Sequence, residues 1–444
     1  MSGDHNSEAH HPPEVTGAIQ HGHLLKFFTI LGAQYLLAFA TGVLIARILG
    51  PTDRGRLTFF LTIPQWALVV VGLGAPQAIT YLIASRRFSQ SESLSVVFTV
   101  LLTLGGAILI LALALLAPWS PAFKRFTMTE AGLVSVLSFA SIALAILLAV
   151  ILGWQQTLQY FLFQLVAPVC FLVALAVLFS IRRLNYSTVI AANTAIMIIS
   201  CAVVAYAITR RTGFRLRLRF GFWRPILGYG LKIYVGSILS LVIVRMDVFF
   251  VAAFLGFTAL GYYAVAVQMA EVVYRLASVF ATARLPETAS RSKADADQTF
   301  PALSRQLILL SLVVMSIIAV AGTAFIRIFL PAFRPAIPAM LLLLPGSTFL
   351  GLANLYFAEL GGRGRAGYGS SIIAANSVTM VILDLLIIPL WGINGAAIAS
   401  SLVYGMGFAF ALYAVQRESD IRLLDLILVR PRDLLVYKSL IARA

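Results

Sequence analysis

Charge is what this chain has least of. Only 11% of its 444 residues are Asp, Glu, Lys or Arg, whereas 60% are hydrophobic and the mean hydropathy is +0.95. A soluble domain carries about 25% charged residues, so this chain lacks the charge to solvate a surface. Composition also excludes disorder, collagen, coiled coil and nucleic-acid-binding domains. Cysteine is nearly absent: Cys170 and Cys201 both fall in apolar stretches, which excludes a disulfide framework and a metal-ligand spacing and marks them as small buried residues. Histidine is missing beyond His23, so no imidazole can act as a base or ligand within the apolar segments. No serine elbow, paired external carboxylates or phosphate-cradling loop occurs, and neither catalysis, metal nor cofactor is expected.

What remains is an integral membrane protein. About 20 apolar residues cross the hydrocarbon layer as a helix. Twelve segments qualify, near 24–49, 57–83, 94–117, 131–153, 158–180, 187–209, 225–251, 259–281, 303–329, 336–358, 368–390 and 393–415. None alternates like a barrel strand. The expected fold class is therefore an all-α membrane protein of about 12 transmembrane helices. Five regions follow: a polar tail over 1–23 with no cleavable signal sequence, an N-lobe of six helices over 24–209, a basic linker over 210–224, a C-lobe of six helices over 225–415, and a basic tail over 416–444.

The net charge of +16 is mostly topology. With the N-terminus inside, 21 Lys and Arg fall in cytoplasmic tails and loops and nine on the other side, which places both termini in the cytoplasm. The densest run, Arg210 to Arg224, alternates with Phe and Leu and suits an anionic lipid surface rather than nucleic acid. The tail after Gln416 is amphipathic and suits either the inner leaflet or a protein partner.

The two halves repeat. Leu49-Gly50-Pro51-Thr52-Asp53-Arg54-Gly55 follows the first span and Leu255-Gly256-Phe257-Thr258-Ala259-Leu260-Gly261 follows the seventh, with Leu, Gly, Thr and Gly coinciding at an offset of 206. Two six-helix lobes in the same order are parallel repeats about an axis along the membrane normal. Charges within spans are costly and usually face a cavity. Arg245 and Asp247 lie in span seven with Lys232 nearer its end. Gln268, Glu271 and Arg275 in span eight share one helical face at i, i+3 and i+7. Two roles compete for these groups: pairing of Glu271 with Arg245 and Arg275, and contact with an anionic ligand, for which a guanidinium fork is well suited. Gln34, Tyr35, Gln65, Gln77, Asn354, Asn376 and Asp384 are further cavity candidates.

The LGP…G turn, the Gly72-Leu73-Gly74-Ala75-Pro76-Gln77-Ala78 stretch, the Asp247…Leu255-Gly256…Gly261-Tyr262-Tyr263-Ala264 pattern and Asp384-Leu385-Leu386-Ile387-Ile388-Pro389-Leu390-Trp391-Gly392-Ile393-Asn394-Gly395-Ala396-Ala397 together resemble the polysaccharide transporter family, the Wzx-type flippases of the MOP superfamily. The resemblance spans about residues 24–415. It implies two pseudo-symmetric, MATE-like lobes around a cavity that alternates between membrane faces. It also implies translocation of polyprenyl-pyrophosphate-linked oligosaccharide for O-antigen or exopolysaccharide in a bacterial inner membrane. The partners would be membrane lipid and assembly proteins such as a polysaccharide polymerase. On that reading Arg245, Arg275, Gln268, Gln34 and Asn354 bind substrate, and Asp247 and Glu271 tune the charge or carry a coupling ion. A proton- or sodium-coupled multidrug antiporter of the same superfamily is the alternative, and a membrane enzyme of polysaccharide assembly is a third.

Overall fold

The computed structural model describes residues 21–88, 92–116, 127–212, 220–290, 293–419 and 421–430. Of the tail expected over 1–23, residues 1–20 lie outside them and 21–23 begin α1; most of the basic linker and the chain beyond 430 also lie outside them. The described chain is a helical bundle: α1 (His21–Val70), α2 (Ala75–Ala84), α3 (Ser93–Leu116), α4 (Met128–Gly153), α5 (Thr157–Ser180), α6 (Tyr186–Thr212), α7 (Trp223–Ser290), α8 (Lys293–Ile317), α9 (Thr323–Phe329), α10 (Ala336–Gly362), α11 (Ala366–Glu418) and α12 (Leu423–Ile427). Among the described residues, eight helices are long and apolar enough to cross a membrane.

Three of these are folded hairpins. Gly50, Gly256 and Gly392 sit inside α1, α7 and α11 with φ of 74°, 82° and 62°. The pairing of φ near +80° with ψ near 180° at Gly50 and Gly256 is essentially closed to residues with a Cβ. Contacts across each glycine show the reversal. The Tyr263 hydroxyl donates to Asp247 Oδ2 at 2.6 Å, and a Cβ on Gly407 would stand 2.4 Å from Asn376 Nδ2. Gly42 and Arg54, on the two limbs of α1, both meet Gln268. Counting hairpins as two crossings, and α8 with its π turn (Ile318–Gly322) and α9 as one, accommodates six crossings per lobe.

The near face is where α1 begins, and the far face carries the three glycine turns. At the far face the repeated motif packs on its own copy. Thr52 Oγ1 and Thr258 Oγ1 are 2.8 Å apart. A Cβ on Gly55 would lie 1.8 Å from the Phe257 carbonyl oxygen, and one on Gly261 would lie 1.9 Å from that of Pro51. Each contact is the other shifted by 206 residues, so the seal is a pseudo-two-fold one. Core packing around it (Leu57, Phe60, Leu260 and Tyr263, all buried) joins the lobes.

The second limb of α1 and α2 form one crossing with a break at 71–74, where Leu73 and Gly74 take φ of 48° and 70° and Pro76 opens α2. The Gly72–Ala78 stretch is thus an interruption inside the second span expected over 57–83. Gly74 and Gly230 meet backbone to backbone, a Cβ on Gly74 falling 2.6 Å from the Gly230 carbonyl oxygen. Tyr81 and Tyr229 stack beside them with ring centroids 4.2 Å apart. The cysteines depart from expectation: Cys170 is exposed on α5, and Cys201 donates its thiol to the Ala140 carbonyl at 3.2 Å. Gly361–Arg365 forms the tight end of α10, where Arg363 pairs with Asp297 and Glu359, each at 2.7 Å.

Candidate functional site

Between the lobes lies a cavity of about 1300 Å³. It begins beneath the far-face seal, at Arg54 and Leu260, and runs toward the near face, where its lining includes Thr80, Leu152 and Leu276.

Its charge is confined to one seam. Arg245 and Asp247 on the first limb of α7, and Glu271 and Arg275 on the second, line it together with Arg54 from α1. The Gly256 reversal is what brings residues 245 and 271 face to face. Arg245 Nη1 stands 3.0 Å from Glu271 Oε1, and Arg275 Nη2 stands 2.6 Å from Glu271 Oε2. One carboxylate therefore serves two guanidinium groups. The Arg275 guanidinium also rests on the Tyr35 ring, 4.9 Å from its centroid, so a cation–π contact crosses the lobes. Asp247 takes the Tyr263 hydroxyl on one oxygen and the Val248 amide, 2.8 Å away, on the other.

Arg54 is the residue that span counting misses. Hydropathy assigns it to an external loop, yet the chain turns at Gly50 alone and helix resumes at Pro51, a favoured first helical residue. That puts Arg54 in the first turn of the second limb with its side chain lining the cavity. Its Nη2 donates to Gln268 Oε1 at 3.0 Å, while its buried Nε has no hydrogen-bond partner. Among the described residues it has no carboxylate partner. Gln268 is fixed in turn, donating Nε2 to the Phe39 carbonyl at 3.1 Å. The lining thus holds three arginines against two carboxylates, and the excess cation is Arg54.

The other expected residues separate. Tyr35, Gln65, Gln77 and Gln268 line the cavity. Gln34 stands behind it, donating to the lining residue Gln164 at 3.3 Å. Asn354 is away from the lining, donating to Ser278 Oγ at 3.3 Å and tying α10 to α7. Asn376 and Asp384 are buried within the C-lobe, and Lys232 is exposed outside the cavity.

Among the described residues, two lobes of six crossings, joined at one face and parted by a largely apolar cavity with one charged seam, make up the architecture of a multi-pass membrane protein. The chain belongs to the polysaccharide biosynthesis protein family, whose model matches residues 44–332. It is similar to the lipid II flippase MurJ in an inward closed conformation, with a TM-score of 0.72 and 15% identity over 94% of this chain and 93% of that one. An inward-facing MATE-family multidrug transporter matches with a TM-score of 0.67 at 14% identity, over 89% of this chain and 98% of that one. An outward-facing one matches at 0.60 and 14%, over 89% and 94%. In sequence, an uncharacterized membrane protein of Methanocaldococcus jannaschii is 24% identical over 200 residues, covering 44% of this chain and 39% of that protein's length.

Proposed function

We propose that this multi-pass membrane protein is a flippase rather than an enzyme, moving polyprenyl-pyrophosphate-linked oligosaccharide across a bacterial inner membrane by alternating access. Both termini would be cytoplasmic, as the 21-to-9 distribution of Lys and Arg favours, so the near face is the loading side. The observation that carries the reading is Arg54, a cation with no carboxylate partner among the described residues, lining the cavity between the lobes. Moving a pyrophosphate through about 30 Å of hydrocarbon requires hydration and a compensating charge. Arg54 supplies the available guanidinium, and the Arg245–Glu271–Arg275 group supplies two more that an incoming anion can draw from their shared carboxylate. The family membership and the fold shared with a lipid II flippase support the same class of cargo.

The test uses cells lacking the chromosomal gene, complemented with wild type, Arg54→Gln or Arg245→Ala. Surface polymer and cytoplasmic-leaflet lipid-linked precursor are quantified together. The expected result is loss of polymer with accumulation of precursor in the deletion, rescue by wild type and failure of Arg54→Gln to rescue. Intact polymer with new drug sensitivity would overturn the reading in favour of an antiporter.

A further inference from the structure

The two walls of the cavity differ in chemistry. Apart from Arg54, every ionisable Asp, Glu or Arg in the lining comes from α7, and the wall built by α1 from Thr58 on, α2, α4, α5 and α6 contains none. That wall is largely apolar, but it carries uncharged polar groups. Gln65 on α1, Gln77 in the first turn of α2 and Asn193 on α6 all line the cavity. Among the described residues the side-chain amides of these three have no hydrogen-bond partner.

The wall's hydroxyls are differently placed. Thr58, Thr62, Thr80 and Ser141 each donate their proton to a carbonyl four residues back on their own helix. They can accept from a ligand, but their donor capacity is used. The amides therefore supply the free N–H groups of this wall, each paired with a free carbonyl. A ligand that satisfies both must itself carry donors and acceptors close together without a charge, as sugar hydroxyl and acetamido groups do. A carboxylate on the same surface would be desolvated with no cation to receive it.

Resting on the flippase reading above, we infer that the N-lobe wall marked by Gln65, Gln77 and Asn193 is the saccharide subsite, and that it takes uncharged sugars. The headgroup is then held across the cavity, with pyrophosphate on the arginine seam and saccharide on the amide wall. Substrate charge is confined to the phosphate.

The experiment is binding to the full-length protein in nanodiscs, followed by native mass spectrometry. Three probes are compared: farnesyl pyrophosphate, farnesyl-pyrophosphoryl N-acetylglucosamine and its glucuronic acid counterpart. A few neutral hydrogen bonds give roughly a ten-fold gain, so the N-acetylglucosamine probe is expected to bind about ten-fold tighter than the bare pyrophosphate, and the glucuronate probe more weakly than N-acetylglucosamine. In Gln65→Leu/Gln77→Leu the ratio of sugar-bearing to bare probe should fall toward one. Gln77→Arg should raise relative affinity for the glucuronate probe, which a fault in folding could not do. Equal binding of bare and glycosylated probes by wild type, or undiminished binding of glucuronate, overturns the inference while leaving the flippase reading intact. If wild type binds none of the three, the flippase reading itself fails.

Discussion

Thr52 and Thr258 lie 206 residues apart in the chain and 2.8 Å apart in space, hydroxyl to hydroxyl, at equivalent places in the two lobes. The repeat is thus also an interface. A motif that folds the first hairpin of each lobe presents the same backbone to its copy, and the far face closes on that contact.

Thr52→Cys/Thr258→Cys, in a chain with Cys170 and Cys201 replaced by Ala, should cross-link readily under mild oxidation, because the two side chains already approach to hydrogen-bonding distance. Non-reducing electrophoresis after cleavage between residues 52 and 258 reads the yield. Absence of the link under oxidation would show that the lobes do not meet here.

Gly55→Ala and Gly261→Ala each place a methyl group under 2 Å from a carbonyl of the opposite lobe. Overpacking of this kind costs about 1–3 kcal/mol, and since a backbone atom is the obstacle, the lobes must part. Introduced into the Thr52→Cys/Thr258→Cys chain, each change should lower the cross-linking yield by a similar amount. A large effect from one with none from the other would contradict the pseudo-two-fold arrangement.

Glu271→Ala removes one carboxylate from two guanidinium groups that are only 23% and 36% exposed. The loss should be on the order of 1–3 kcal/mol, less than for a fully buried pair because both guanidinium groups are partly exposed. Arg245→Ala/Glu271→Ala should be less destabilised than the sum of the single changes, measured by thermal unfolding in detergent.

Arg363→Ala leaves Asp297 and Glu359 facing each other without the cation that joins α8 to α10. Stability, read by the same thermal unfolding, should fall by about 3 kcal/mol. Arg363→Lys should recover only part of it, since one ammonium cannot reproduce a fork that touches two carboxylates.

Asn354→Ala severs a single bond between helices, to Ser278. The expected cost is under about 1 kcal/mol, with transport unimpaired in the complementation assay. A selective loss of transport would return Asn354 to the substrate path.

Much of this architecture is legible in the sequence because it rests on spacing. The offset of 206 is visible as four matching letters, and the spacing of Gln268, Glu271 and Arg275 alone places them on one helical face. Arg54 is not legible in this way, since hydropathy treats everything between two apolar runs as loop. The physical signal is Pro51: directly after a turning glycine, proline starts a helix rather than continuing a loop. Asn354 fails in the opposite way. An amide in a span reads the same whether it faces water or another helix, and only packing decides. Asp384 shows that limit too, being fully buried in the C-lobe rather than in the cavity.

At Gly55 and Gly261 the far-face seal brings glycine carbons directly against carbonyls of the opposite lobe, with no side chain between them. Side-chain interfaces can loosen by degrees, one rotamer at a time. Two backbones at glycine distance have no such slack, and separation by even the width of a methyl group forfeits the fit. The joint is built as a latch and not as a spring, engaged or released, and on the proposed alternating-access reading it is the absence of a Cβ at two positions that makes rocking of the lobes two-state.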